Sequence, residues 1–135
     1  MRDDFVEQIA YWKRSSAQDF KAAKSLFAKR LYPQCLFFCH LAVEKLLKGI
    51  VLKRTGEPAP YLHDLRRLAA LARVTVSKDR AQELDEIFTF NIAGRYADAK
   101  LDFYRQHNRK AHAERFFVIT ERIIVWLNDE FRNES

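Results

Sequence analysis

Turn-forming residues are scarce in this chain: glycine and proline occur three times each in 135 residues. A β-sandwich or a Rossmann-type sheet needs more of them to reverse the backbone, so helices are favoured. Cysteine is nearly absent as well. Cys35 and Cys39 lie four apart in a strongly apolar stretch. A zinc site needs a second Cys/His pair at ligand spacing, and His40, His63, His107 and His112 do not supply one. No metal and no cofactor is expected, and the two thiols read as buried side chains in a reducing compartment. No run approaches the ~18 consecutive apolar residues of a membrane span. The opening MRDDFVEQIAYWKR is charged and amphipathic and has no signal-peptide core. The cytoplasm is therefore the expected location, with no membrane partner.

Apolar residues make up 48% of the chain and charged residues 31%. That composition excludes a disordered tail or a collagen-like fibre. The length fits one domain over residues 1–135, able to bury roughly two-thirds of its unfolded surface. Lys plus Arg outnumber Asp plus Glu by 24 to 18, a net charge of +6. Such a balance suits nucleic acid, a nucleotide or an acidic protein. The charges are spread along the chain, as in many proteins without an anionic ligand.

Hydrophobic spacing predicts four to five helices. The first covers about 3–31, with Phe5, Ile9, Trp12, Phe20 and Phe27 at helical intervals. Ser16 and Asp19 resemble a capping box, so this helix either starts there or runs through with a kink. Pro33 opens or precedes a second helix to about Arg54, where Leu36, His40, Val43, Leu47 and Ile50 form one stripe. Cys39, Ala42 and Leu46 widen it into an arc that suits a central helix, with Glu44, Lys45 and Lys48 expected on the opposite side. Gly56 with Pro58 and Pro60 stops it. A short third helix begins near Asp64. A fourth covers about 78–93, with Asp79 and Gln82 as its expected cap and Gly94 at its end. Residues 95–108 read as a loop with a helical turn, and 109–131 as the last helix. Val74-Thr75-Val76 is too short to carry a strand. The fold class is all-α, a single up-and-down bundle.

Motifs for a nucleophile elbow, a P-loop, a dinucleotide fold and an H-E-x-x-H zinc site are all absent. The remaining chemistry lies in a few clusters. His40 and Glu44 are i,i+4 with Lys48 a further turn on, either an imidazole oriented in a pocket or a helix-surface pair. His63-Asp64 reads as a helix cap. Arg95-Tyr96, after Gly94, offers a cation and a ring for a phosphate and a base, or a tie to helix carbonyls. Residues 105–112, RQHNRKAH, are the densest basic cluster. If helical, Arg105, Arg109 and His112 share a face. Metal-free RNA cleavage needs a proton-transfer group and a cation for the phosphorane, and such a face supplies both. A solvated basic helix start is the plainer reading.

Four elements in order resemble the HEPN family (higher eukaryotes and prokaryotes nucleotide-binding domain). Trp12, Ala17, Asp19-Phe20, Ala23 and Leu26 resemble its opening helix. Residues 40–49, HLAVEKLLKG, resemble its A-x-E-K-x-x-K signature. His63-Asp64-Leu65 followed by Leu68 resembles its H-D-L element, and Arg95-Tyr96-Ala97-Asp98 its R-Y-P-D element, with Ala97 in place of proline. The resemblance implies an all-α bundle, a homodimer, and a minimal nucleotidyltransferase as partner in a toxin–antitoxin-type system. It makes Lys45, Lys48, Arg95 and Tyr96 the candidate contacts for a nucleotide or RNA. Some members of the family are metal-independent ribonucleases with an R-x4-6-H motif at a dimer cleft. Arg105 and His112 fit that spacing, although Gln106 stands where the family often has Asn or Asp. A binding module and an endoribonuclease toxin are thus the two functional alternatives, beside a ligand-free oligomerisation module suggested by Val118 and Val125 on the last helix.

Overall fold

The computed structural model describes residues 3–94, 102 and 105–133. Among them are five α-helices and no strand: α1 (Asp3–Ala28), α2 (Tyr32–Thr55), α3 (Leu65–Leu71), α4 (Lys78–Phe88) and α5 (Lys110–Arg132). A 3-10 helix (Thr89–Gly94) continues α4, where the sequence predicts one α-helix to residue 93. Residues 105–107 form the expected helical turn. Arg95, Tyr96 and the rest of that element lie outside the described residues.

α2 is the hub and packs against α1, α3, α4 and α5. Leu36, Val43, Leu46, Leu47 and Ile50 meet Leu65 and Leu68 of α3, Leu84 and Ile87 of α4, and Phe116, Ile123 and Leu127 of α5 in one core. A smaller cluster joins Ala23, Cys35 and Cys39 to Phe20 and Phe117, whose rings stack at 5.0 Å. Both thiols are free and buried. The neighbouring Cys35 thiol together with burial raises the Cys39 pKa. At Gly49 the helices approach so closely that a Cβ would sit 2.6 Å from the Phe131 ring and 3.0 Å from Trp12 Cβ.

The helix ends explain how a chain with so little glycine turns. Gly56 closes α2 in the left-handed conformation, φ 71°, its N–H bonded to the Leu52 carbonyl. Two other reversals use arginine there, Arg30 at φ 62° and Arg73 at φ 59°. Each carries the paired bonds of a Schellman cap: Leu31 N–H to Leu26 O with Arg30 N–H to Phe27 O, and Val74 N–H to Ala69 O with Arg73 N–H to Ala70 O. Asp64 caps α3 through the N–H groups of Arg66 and Arg67. α4 is capped by Ser77 on the Arg80 N–H, not by Asp79. Pro33 lies in the first turn of α2, where its missing N–H costs nothing.

α1 runs unbroken through Ser15 and Ser16. These serines do not cap a helix; they face α2. Ser16 Oγ donates to the Ala42 carbonyl at 2.6 Å, and Ser15 Oγ accepts from Lys45 Nζ at 2.8 Å. Glu44 and Lys48, expected on a polar side of α2, are only 5% and 8% exposed. A helix wrapped on every side has no free polar face, so its charged residues must find partners indoors.

Candidate functional site

The first polar constellation is built on α2. His40, Glu44 and Lys48 recur every four residues and so stack on one face. Gly56 and two prolines turn the chain back along that face. Tyr61 comes to lie beside Lys48, and His63 beside Glu44 and His40. His63 is gripped twice. Its Nδ1–H donates to Glu44 Oε1 at 2.8 Å, and its carbonyl accepts from His40 Nε2 at 3.2 Å. Lys48 Nζ donates to Glu44 Oε2 at 3.1 Å and sits 5.8 Å and 6.0 Å from the centres of the Trp12 and Tyr61 rings. Glu44 therefore spends both oxygens on one cation and one imidazole.

His40 is fully buried. Burial pushes its pKa down to about 4 against the opposing pull of Glu44, so it is neutral near pH 7. It stands 3.7 Å from Glu44 Oε1, beyond a hydrogen bond, so the i,i+4 pair read from the sequence is not the bonded one. His40 Nδ1 has no partner among the described residues. Lys45 turns to α1, 2.7 Å from Asp19 Oδ2. Arg54, which the sequence did not single out, donates to the carbonyls of Ala72, Arg73 and Glu130 and to Glu130 Oε2 at 2.6 Å. It ties the end of α2 to α3 and α5. The sequence offered no signal for it, because its partners lie far along the chain.

The second constellation surrounds the start of α5. The turn at 105–107 and α5 are separate: Asn108 and Arg109 interrupt them, with Arg109 extended at φ −131°, ψ 133°. The single continuous face for Arg105 and His112 therefore does not form, and the two make no bond to each other among the described residues. His112 meets His107 instead, Nε2 to Nδ1 at 2.6 Å. One ring must donate and the other accept, so the pair cannot carry two charges. Burial and the neighbouring His112 lower the His107 pKa to about 4. Burial, Arg115 and Arg109 lower that of His112, against the pull of Glu86. Phe90 and Phe116 wall the pair. Arg105, Arg109, Lys110 and Arg115 around it are exposed, and none forms an ion pair among the described residues.

No group of three or more metal-binding side chains occurs among the described residues, and no helix there is long and apolar enough to cross a membrane. In comparisons with known proteins, the HEPN domain family model matches residues 9–130. The chain is similar to the crystal structure of TT1696 from Thermus thermophilus, with a TM-score of 0.77 and 22% identity over 90% of this chain and 97% of that one. At that identity the likeness speaks for the fold. A search of curated proteins found no match.

Proposed function

Because this chain belongs to the HEPN domain family, we propose that it is a nucleotide- or RNA-binding module whose contact face is the unpaired basic region at the start of α5. The observation that carries this reading is the set of four exposed cations, Arg105, Arg109, Lys110 and Arg115, with no carboxylate partner among the described residues. Arg109 and Lys110 also sit at a helix N-terminus, with no acidic residue in its first turn. Cations there oppose the helix dipole, and a bound phosphate would reverse that penalty. In this reading Arg95 and Tyr96 add a cation and a stacking ring. Lys45 and Lys48 act from behind, by holding α1 and the 57–64 segment against α2.

Fluorescence anisotropy with a short single-stranded RNA tests the proposal. Saturable binding that weakens with salt is expected, and Arg109→Ala with Lys110→Ala should lower the salt slope by about 2. Absence of binding at low salt overturns it. The resemblance further implies a homodimer and a minimal nucleotidyltransferase partner in a toxin–antitoxin-type pair, which light scattering and co-purification check.

The His107–His112 pair favours a second reading, a metal-independent endoribonuclease. His112 would move the 2′-hydroxyl proton and Arg105 would stabilise the phosphate charge. It requires RNA cleavage in EDTA that His112→Ala and Arg105→Ala both abolish; RNA left intact by the purified protein ends it.

A further inference from the structure

A cleft of about 340 Å³ opens where the 57–64 segment, α3 and the 3-10 helix meet. Its walls include Tyr61, His63, Asp64, Arg67, Phe88 and Asn91. We propose that this cleft takes a single nucleobase, as a nucleoside or as an unstacked base of a bound RNA. The proposal rests on the reading above for the source of that base, but it concerns a different surface.

The polar groups define the ligand. Glu44 accepts from the Nδ1–H of His63, so in the neutral imidazole Nε2 is the hydrogen-bond acceptor. Nε2 has no partner among the described residues and is not a buried orphan, and His63 lines the cleft. Asp64 spends Oδ1 on the N–H groups of Arg66 and Arg67, and its Oδ2 stays available as a second acceptor. The Arg67 guanidinium and the Asn91 amide form no side-chain hydrogen bond or ion pair among the described residues and serve as donors. A carboxylate and a guanidinium in the same wall cancel, so a bare anion gains little there. A flat, uncharged ring that carries both N–H donors and carbonyl or ring-nitrogen acceptors satisfies all four groups.

The apolar walls agree. Tyr61 is 89% exposed, its ring set edge-on to His63 at 4.9 Å and 76°. So bare an aromatic beside fixed polar groups is what a stacking base requires. Phe88 supplies a second, half-buried ring, itself packed 6.2 Å from His40. The volume lies in the range of small-molecule sites. His63 is held on both sides by α2, so the acceptor is in place before any ligand arrives.

The test uses the whole chain with isotopically labelled histidine, followed by NMR. Adenosine, guanosine, cytidine, uridine and inorganic phosphate are titrated separately. At least one nucleoside is expected to shift the His63 imidazole resonances saturably. Tyr61→Ala and Arg67→Ala, both at exposed positions, should each weaken that nucleoside at least fivefold. Shifts with phosphate alone, no shift with any nucleoside, or affinity unchanged in Tyr61→Ala each overturn the proposal. Because nucleosides carry no phosphate, they bypass the basic face. RNA binding without nucleoside binding removes the cleft and spares the module; nucleoside binding without RNA binding does the reverse.

Discussion

The cations of α2 and those at the start of α5 are chemically alike and physically opposite. Lys48 is 8% exposed, and its ammonium is held by Glu44. The Arg54 side chain, 6% exposed, is held by Glu130 and three carbonyls. Arg105, Arg109, Lys110 and Arg115 lie in water with no ion pair among the described residues. A charge inside a protein persists only with its partners, so the α2 cations are committed to the fold. A charge in water needs no partner and stays available to a ligand. Membership of a motif therefore does not assign a residue to a ligand; its desolvation and its bonds decide.

The sharpest way to break this contrast is to remove the carboxylate at the middle of the α2 ladder. Glu44→Ala leaves Lys48 charged and enclosed and frees the His63 ring. Breaking a buried pair from one side costs about 3–5 kcal/mol. Denaturant unfolding should show that loss, whereas Arg105→Ala should stay within about 0.5 kcal/mol of the parent. Equal losses at the two positions would erase the distinction.

Acid probes the same ladder without a mutation. His40 has its folded pKa depressed from 6.5 to about 4 by burial. The unfolded chain therefore takes up its proton first as the pH falls. Its stabilising share is full above pH 6.5 and is lost progressively down to about pH 4, on the order of 3 kcal/mol at most. Unfolding curves between pH 7 and 4 should show the decline, and His40→Gln should flatten it. His107 is depressed in the same direction and adds a smaller share, because it is half-exposed.

Gly49→Ala tests how closely α2 is wrapped. The new methyl meets the Phe131 ring and Trp12, so a loss of about 1–3 kcal/mol is expected from forced repacking. A thermal melt unchanged from the parent would mean that α1 and α5 yield there freely.

Much of this architecture is legible in the sequence. Apolar residues at helical spacing placed α2 and α5 to within one residue at each end, and Asp64 and Gly56 marked boundaries by their own chemistry. The errors have physical causes. Ser16 and Asp19 imitate a helix cap, but Ser16 bonds across to Ala42, and a cross-helix bond leaves no mark in local spacing. Scarce glycine favoured helices, as found, but gave no sign that Arg30 and Arg73 adopt the left-handed conformation that glycine favours. The His40–Glu44–Lys48 spacing was visible, but its face was misplaced, because an apolar arc that surrounds a helix does not show which side is covered. The true partner, His63, is nineteen residues from Glu44 and looked like part of a cap.

The smallest effect separates folding from binding most cleanly. Arg109 occupies the N-cap position of α5 and makes no capping bond. Serine there can accept from an orphan N–H of the first turn, and removing the cation relieves its opposition to the helix dipole. Arg109→Ser should therefore stabilise the protein by up to about 1 kcal/mol, read as a raised denaturation midpoint. The same change deletes one contact from the basic face and should weaken RNA binding, with a salt slope lower by about 1. On α2 the two quantities must fall together, since Glu44→Ala damages the scaffold that any ligand would meet. Opposite signs at Arg109 are the mark of a residue kept at a cost to the fold. A variant that gains stability and keeps its RNA affinity would place the binding face elsewhere.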